Sequence, residues 1–257
     1  MKKINHNGQL VAENSLDLNR GYRYGDGLFE TLRGTEGTVP LWRHHMERLL
    51  TGMRALGYKI NALPGGAETF FANQVQMVLP PHGTHRVRLL VHRAGGGTYA
   101  PTDNGFEWTV RTDALVPTPD PLPPLRVGCY RAIRLVPSPV SRFKTTSALR
   151  YVQAARYARL HQLDDVLLFN SSDRPVEGSA YGLVIRRANT LLAPPHAEGG
   201  VWSTYVSFLE HGGAARLGYR LRYQRLTLAD LHAADAIYFV NAVRGMRRVN
   251  LVGGAAG

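Results

Sequence analysis

Residues 141–151 read "SRFKTTSALRY", and the placing of one lysine within them decides how the chain is organised. Ala148, Leu149, Val152 and Ala155 recur at helical spacing, which predicts a helix with that face turned inward. Thr145, Thr146 or Ser147 is then expected to cap it. Lys144 falls on the turn that enters the helix, where a lone amine is ordinarily surface charge. Downstream, "DDVLLFN" and "LVIRRANTLLA" read as strands broken by the turns "SSDRP" and "RAN". A helix near 201–211 and the strand "AIYFVNAV" follow.

Upstream, a short strand-like piece precedes the glycine-rich bend in "NRGYRYGDGLFETLRG", after which Leu28 to Arg33 read as a strand. Leu41, His45, Leu49, Met53 and Leu56 share one face of a second helix. Strands over 85–93 and 106–112 flank the loop "AGGGTYAPTDNG", and another is expected over 125–134. The prolines of "VPTPDPLPPL" suit neither regular element. The expected organisation is a smaller N-terminal domain over 1–115, a proline-rich linker over 116–124 and a larger C-terminal domain over 125–257. The expected fold class is α+β, with helices against sheets.

Composition narrows the function classes. The chain has 257 residues, 44% of them hydrophobic, enough for one large core or two medium ones. No apolar run approaches the roughly 20 residues that span a bilayer, and the first residues lack the apolar stretch of a secretion signal. With the single Cys129, this is read as cytoplasmic, without membrane association and without a metal cluster. A net charge of +12 admits nucleic acid, but the 31 lysines and arginines are spread end to end without a basic tail. An anionic substrate or cofactor explains the charge better, and no nucleic-acid partner is expected.

The chain lacks a phosphate-binding G-x-x-x-x-G-K-[ST], H-E-x-x-H, G-x-S-x-G, and a G-x-G-x-x-G opening a βαβ unit. The set of segments instead resembles the class IV pyridoxal-phosphate aminotransferases, a group that includes 4-amino-4-deoxychorismate lyase and branched-chain and D-amino-acid aminotransferases. "NRGYRYGDGLFETLR", "HHMERLL" with its H-x-x-R-L, "RVRLLVHRAGGGTYAP", "KTTSALRYVQAARYARLHQLDDVLLFNSSDRPVEGSAYGLV" and "YFVNAVRGMRRV" carry the likeness over nearly the whole chain. It implies fold type IV, pyridoxal 5'-phosphate as cofactor and a homodimer with a loop shared between subunits.

Residue by residue, the resemblance makes Lys144 the amine that holds the cofactor aldehyde and later moves a proton. Glu177 is implied as partner of the ring nitrogen and Arg48 as the phosphate arginine. Ser179, Ala180, Val201, Ser203, Thr204, Asn241 and Ala242 complete the expected cofactor contacts, with Val201 beneath the ring. Ser203 and Thr204 stand where the family has glycine and isoleucine, Val206 where it usually has a base, and Gly182 where it has asparagine. For an anionic amino-acid-like substrate the candidates are Arg23, Arg88, Arg93, Tyr99 and Arg244, since the loop lacks the second arginine that lyase members carry before Gly-Tyr. Ala148 replaces a tyrosine common in transaminating members. Together with the short chain, glycine-rich loop and positive charge, this leans toward the lyase, with an aminotransferase and a catalytically weak cofactor-binding protein as the other readings.

Overall fold

The structure is a computed structural model describing residues 3–6, 9–12, 19–61, 63–116 and 122–252. Strands β1 (Lys3–His6) and β2 (Gln9–Ala12) form a hairpin. After α1 (Arg20–Tyr24) come β3 (Gly27–Thr35), α2 (Trp42–Ala55), α3 (Ala67–Gln76), β4 (Thr84–Arg93) and β5 (Phe106–Ala114). Strands β3, β4 and β5 make an antiparallel sheet. Alternation along β3 turns Leu28, Glu30 and Leu32 to the buried side and leaves Phe29, Thr31 and Arg33 on the opposite one. Leu28 and Leu32 pack with Met46, Leu49 and Met53 of α2 and with Phe71 and Val75 of α3.

The C-terminal part holds β6 (Leu125–Leu135), α4 (Leu149–Leu160), β7 (Asp165–Asn170), β8 (Pro175–Gly178), β9 (Gly182–Arg187) and β10 (Thr190–Ala193). It continues with α5 (Thr204–Phe208), β11 (Arg220–Tyr223), α6 (Leu228–His232), β12 (Ala236–Asn241) and β13 (Gly245–Leu251). Its strands run β11-β10-β9-β12-β13-β6-β7-β8, and β8 pairs again with β9 through Glu177 opposite Gly182. Six strands therefore close on themselves, and the closure point carries the glutamate. Among the described residues the mixture of helices and sheets is α+β, as expected. Residues 117–121 of the proline-rich linker lie outside the described residues, and 122–124 take no regular structure.

The helix after Lys144 differs from its sequence reading. It starts at Leu149 with Ala148 at its N-cap and no side-chain cap. Thr145 and Thr146 are committed elsewhere: Thr145 bridges Leu28, and the Thr146 N–H donates to the Gly27 carbonyl at 2.9 Å. The helix is also rotated from the expected face. Leu149 and Val152 are 69% and 59% exposed, while Ala154 and Ala158 are buried with Tyr151 and Tyr157 against β6 and β7. Small alanines flanked by tyrosines allow close approach to the strands, a seam that counting large apolar residues overlooks. The α2 helix buries His45, Leu49 and Met53 on the face that spacing predicts.

Candidate active site

Lys144 is fixed by main-chain pairing rather than by its helix. The Phe29 N–H donates to the Lys144 carbonyl at 2.9 Å, so the turn is stitched to β3. Phe143, just before it, is buried in the N-terminal core. The lysine thus joins the small sheet to the closed one, with its Nζ 4.6 Å from the centre of the Phe29 ring. Burial, then the Arg48 charge, pushes its pKa down to about 8, against the pull of Glu30 and Glu177. An amine in that range is neutral in a useful fraction near neutral pH.

A cleft of about 370 Å³ opens around it, lined by Arg48, Glu177, Val201, Ser203 and Thr204 among others. Glu177 is buried; its Oε1 accepts from the Tyr151 hydroxyl at 2.7 Å and its Oε2 from the Val201 N–H at 2.9 Å. Burial lifts its pKa to about 7 despite both bonds. Ser203 caps α5, accepting from the Val206 N–H at 3.3 Å, and Thr204 opens that helix in a buried position. A Cβ on Gly182 would come 3.0 Å from the Ser203 side chain, so the glycine and the serine fit each other's size.

Two turns close the rim. The Asp165 carboxylate accepts from the Ser179 and Ala180 N–H groups at 3.0 and 3.4 Å. Asn241 donates to the Ala180 carbonyl at 3.2 Å and accepts from the Val243 and Arg244 N–H groups, at 3.1 and 2.8 Å. Ser179, Ala180, Asn241, Ala242 and Arg244 all line the cleft.

The structure separates the arginines proposed from sequence. Arg93 is buried and spent: it donates to Asp26 at 2.9 Å, Asn104 at 2.8 Å and the Leu56 carbonyl at 2.6 Å. Arg23 is exposed on α1, its guanidinium 4.9 Å from the Tyr24 ring. Tyr99 is 89% exposed, on a loop whose carbonyls at Gly96, Gly97, Thr98 and Tyr99 are gripped by buried Arg20. Arg88 stands with its guanidinium 4.6 Å from the other contact of Lys144, the Phe29 ring. Arg86, which sequence did not single out, lines the cleft and pairs with Asp113 at 3.1 Å.

Glu30, His45 and Tyr151 are further residues that the motif reading passed over. The Glu30 carboxylate accepts from Arg48 Nε at 2.7 Å, Arg48 Nη2 at 2.5 Å and His45 Nδ1 at 2.7 Å. Those contacts hold its pKa down near 2 although burial opposes them. A signal existed: an acid at the inward position between Leu28 and Leu32 must find a cation, and H-x-x-R places His45 and Arg48 on one helix face.

The donors present fit a phosphorylated pyridine aldehyde. Lys144 is the amine for the aldehyde, and Glu177 a buried carboxyl for a ring nitrogen. Arg48 with the hydroxyls of Ser203 and Thr204 suits a phosphate dianion. The profile of the family described as amino-transferase class IV matches residues 27–252. A Methanocaldococcus jannaschii protein provisionally named as a branched-chain-amino-acid aminotransferase is 25% identical, over 92% of this chain and 83% of its own. The 4-amino-4-deoxychorismate lyase of Pseudomonas aeruginosa superposes with a TM-score of 0.73 at 27% identity, covering 94% of this chain and 88% of that one. The branched-chain aminotransferase of Thermoproteus uzoniensis, solved with norvaline, shares the fold at a TM-score of 0.79 and 22% identity, covering 95% and 85%.

Proposed function

Because this chain belongs to the class IV aminotransferases, and is thus a pyridoxal-phosphate-dependent enzyme of fold type IV, we propose the narrower reading that it is a 4-amino-4-deoxychorismate lyase. In that reaction the substrate loses a proton and its enolpyruvyl group, giving 4-aminobenzoate and pyruvate in the branch that leads to folate. Bound pyridoxal phosphate supplies an aldehyde that captures amines and a cationic ring that accepts electron density. Lys144 holds the aldehyde and afterwards takes the proton from the substrate carbon that bears nitrogen. Glu177, steadied by Tyr151 and the Val201 N–H, faces the ring nitrogen. Arg48, Ser203 and Thr204 take the phosphate.

The observation that carries the lyase reading is the cationic wall beside Lys144. Arg86 and Arg244 line the cleft, and Arg88 shares the Phe29 ring with the lysine. A substrate with two carboxylates suits that wall, whereas a branched aliphatic side chain does not. Arg88 and Arg244 are the arginines best placed for the carboxylates. The aminotransferase reading is favoured instead by the named Methanocaldococcus relative. We further propose that the enzyme works as a homodimer in the cytoplasm.

The test is to supply 4-amino-4-deoxychorismate without any keto acid and follow 4-aminobenzoate and pyruvate, beside a panel of L- and D-amino acids with 2-oxoglutarate. Stoichiometric pyruvate is expected, and Lys144→Ala should abolish it together with the near-visible absorbance that borohydride bleaches. Amino transfer without 4-aminobenzoate would replace the lyase by the aminotransferase. Silence in both assays with cofactor bound would leave the catalytically weak protein.

A further inference from the structure

We propose that Glu30 is the positioning residue of the anion site: its carboxylate clamps one edge of the Arg48 guanidinium, is itself anchored by His45, and so keeps the remaining N–H groups of Arg48 for a phosphate. The proposal rests on the cofactor reading above, but concerns residues that no family motif selects.

A guanidinium has five N–H groups. In this protein Nε and one hydrogen of Nη2 go to Glu30, and one hydrogen of Nη1 goes to the Trp202 carbonyl at 2.6 Å. One hydrogen on each terminal nitrogen is left, and Arg48 lines the cleft. Two parallel donors on neighbouring nitrogens are the fork that grips a phosphate. An unclamped arginine would have to give up about 2 kcal/mol of side-chain entropy on meeting its anion. Here that ordering is done by folding.

The clamp is placed where water cannot loosen it. Glu30 is 1% exposed, on the buried face of β3, and a lone carboxylate there would cost several kcal/mol. Three donors converge on it. His45 is equally buried, and its Nε2 has no hydrogen-bond partner, so the imidazole serves as a neutral donor through Nδ1 alone. Burial lowers the His45 pKa, which keeps it neutral. The charged groups around the clamp are Glu30 on β3, Arg48 on α2 and Lys144 on the turn after β6. Glu30 cancels the Arg48 charge in the empty site and so limits the depression of Lys144, while the orientation of the fork persists.

The experiment compares binding of pyridoxal phosphate and pyridoxal to the full chain stripped of cofactor, because the ratio of the two affinities isolates what the phosphate contributes. Glu30→Gln turns an amide N–H toward the Arg48 donors and should lower that ratio by about 10-fold, with pyridoxal affinity nearly unchanged. His45→Leu, which keeps the carboxylate but removes its anchor, should lower it by about 3-fold, and His45→Asn, which restores a donor, should recover most of the loss. In Arg48→Lys, which offers no edge to clamp, adding Glu30→Gln should change little. If Glu30→Gln does not fold, the His45 pair carries the same test. An unchanged ratio in these variants, or parallel weakening of both ligands, would overturn the proposal. Wild-type protein without any preference for the phosphorylated ligand would overturn the cofactor reading and this proposal with it.

Discussion

Glu177 and Lys144 face one another across the cleft with their proton affinities drawn together, to about 7 and about 8 from values usually six units apart. In the cofactor-free protein this has a definite cost. The unfolded Glu177 loses its proton near 4.5, whereas the folded one keeps it to about 7. Across that interval the native state holds the extra proton, so stability falls as pH rises, by on the order of 3 kcal/mol from this residue. Lys144 acts in the opposite sense and higher: between about 8 and 10.5 the unfolded amine holds a proton that the folded one has released, so stability rises with pH. Glu177→Gln should therefore match wild type near pH 4.5 and be the more stable protein at pH 7.5, as read from urea midpoints of cofactor-free samples. Equal pH slopes for the two proteins would mean that Glu177 is not desolvated. At this scale Lys144, Arg48 and Glu177 were legible because motifs carry them. Glu30 and Tyr151 were not, because each acts on a neighbour that is distant in sequence, and only folding brings Tyr151 to 2.7 Å from Glu177.

The elements explain why a helix can be found and its facing still be misread. Periodicity located α2 to within a residue at each end, since its apolar residues are large and meet a broad core. The helix at Leu149–Leu160 has two competing stripes, and the exposed one contains the larger side chains. What seats it is a pair of alanines and two tyrosines. The threonines before it are taken by β3, which is also why Lys144 is held by a strand edge. On α2, Gly52 matters for the same junction. A Cβ there would lie 3.0 Å from Leu28 Cδ1 and 3.2 Å from the Phe143 ring, both core side chains with nowhere to retreat. Gly52→Ala would gain up to about 1 kcal/mol in helix propensity, yet crowding of about 1–3 kcal/mol should outweigh it. We expect a net loss of about 1 kcal/mol in urea unfolding and weaker pyridoxal phosphate binding, because Phe143 is covalently next to the lysine. A variant more stable than wild type, with unchanged binding, would show that the junction has slack.

At the scale of the whole molecule, the three-stranded sheet supplies the cationic wall and the closed sheet supplies Glu177, and the 142–146 turn ties one to the other through Trp202, Lys144 and Thr146. No helix among the described residues is long and apolar enough to cross a membrane. The +12 charge, read from composition as awaiting an anion, is concentrated by folding where Arg48, Arg86 and Arg244 line one cleft. The surface, in contrast, leaves apolar groups in water near that cleft's loop. Tyr99 and Tyr22 are 89% and 74% exposed, and Arg20, itself buried, spends four hydrogen bonds holding the Tyr99 loop outward. A loop so firmly held yet so exposed fits a partner that covers it, and the proposed homodimer places a second copy there. Sedimentation of cofactor-loaded protein at micromolar concentration should give twice the 28.4 kDa chain mass. Tyr99→Ser should shift the equilibrium toward monomer while the unfolding of the dilute monomer stays within about 0.5 kcal/mol of wild type, as expected for a surface change. A wild-type protein that sediments only as monomer with cofactor bound would count against the dimer, and the exposed tyrosines would then belong to the rim of a self-sufficient site.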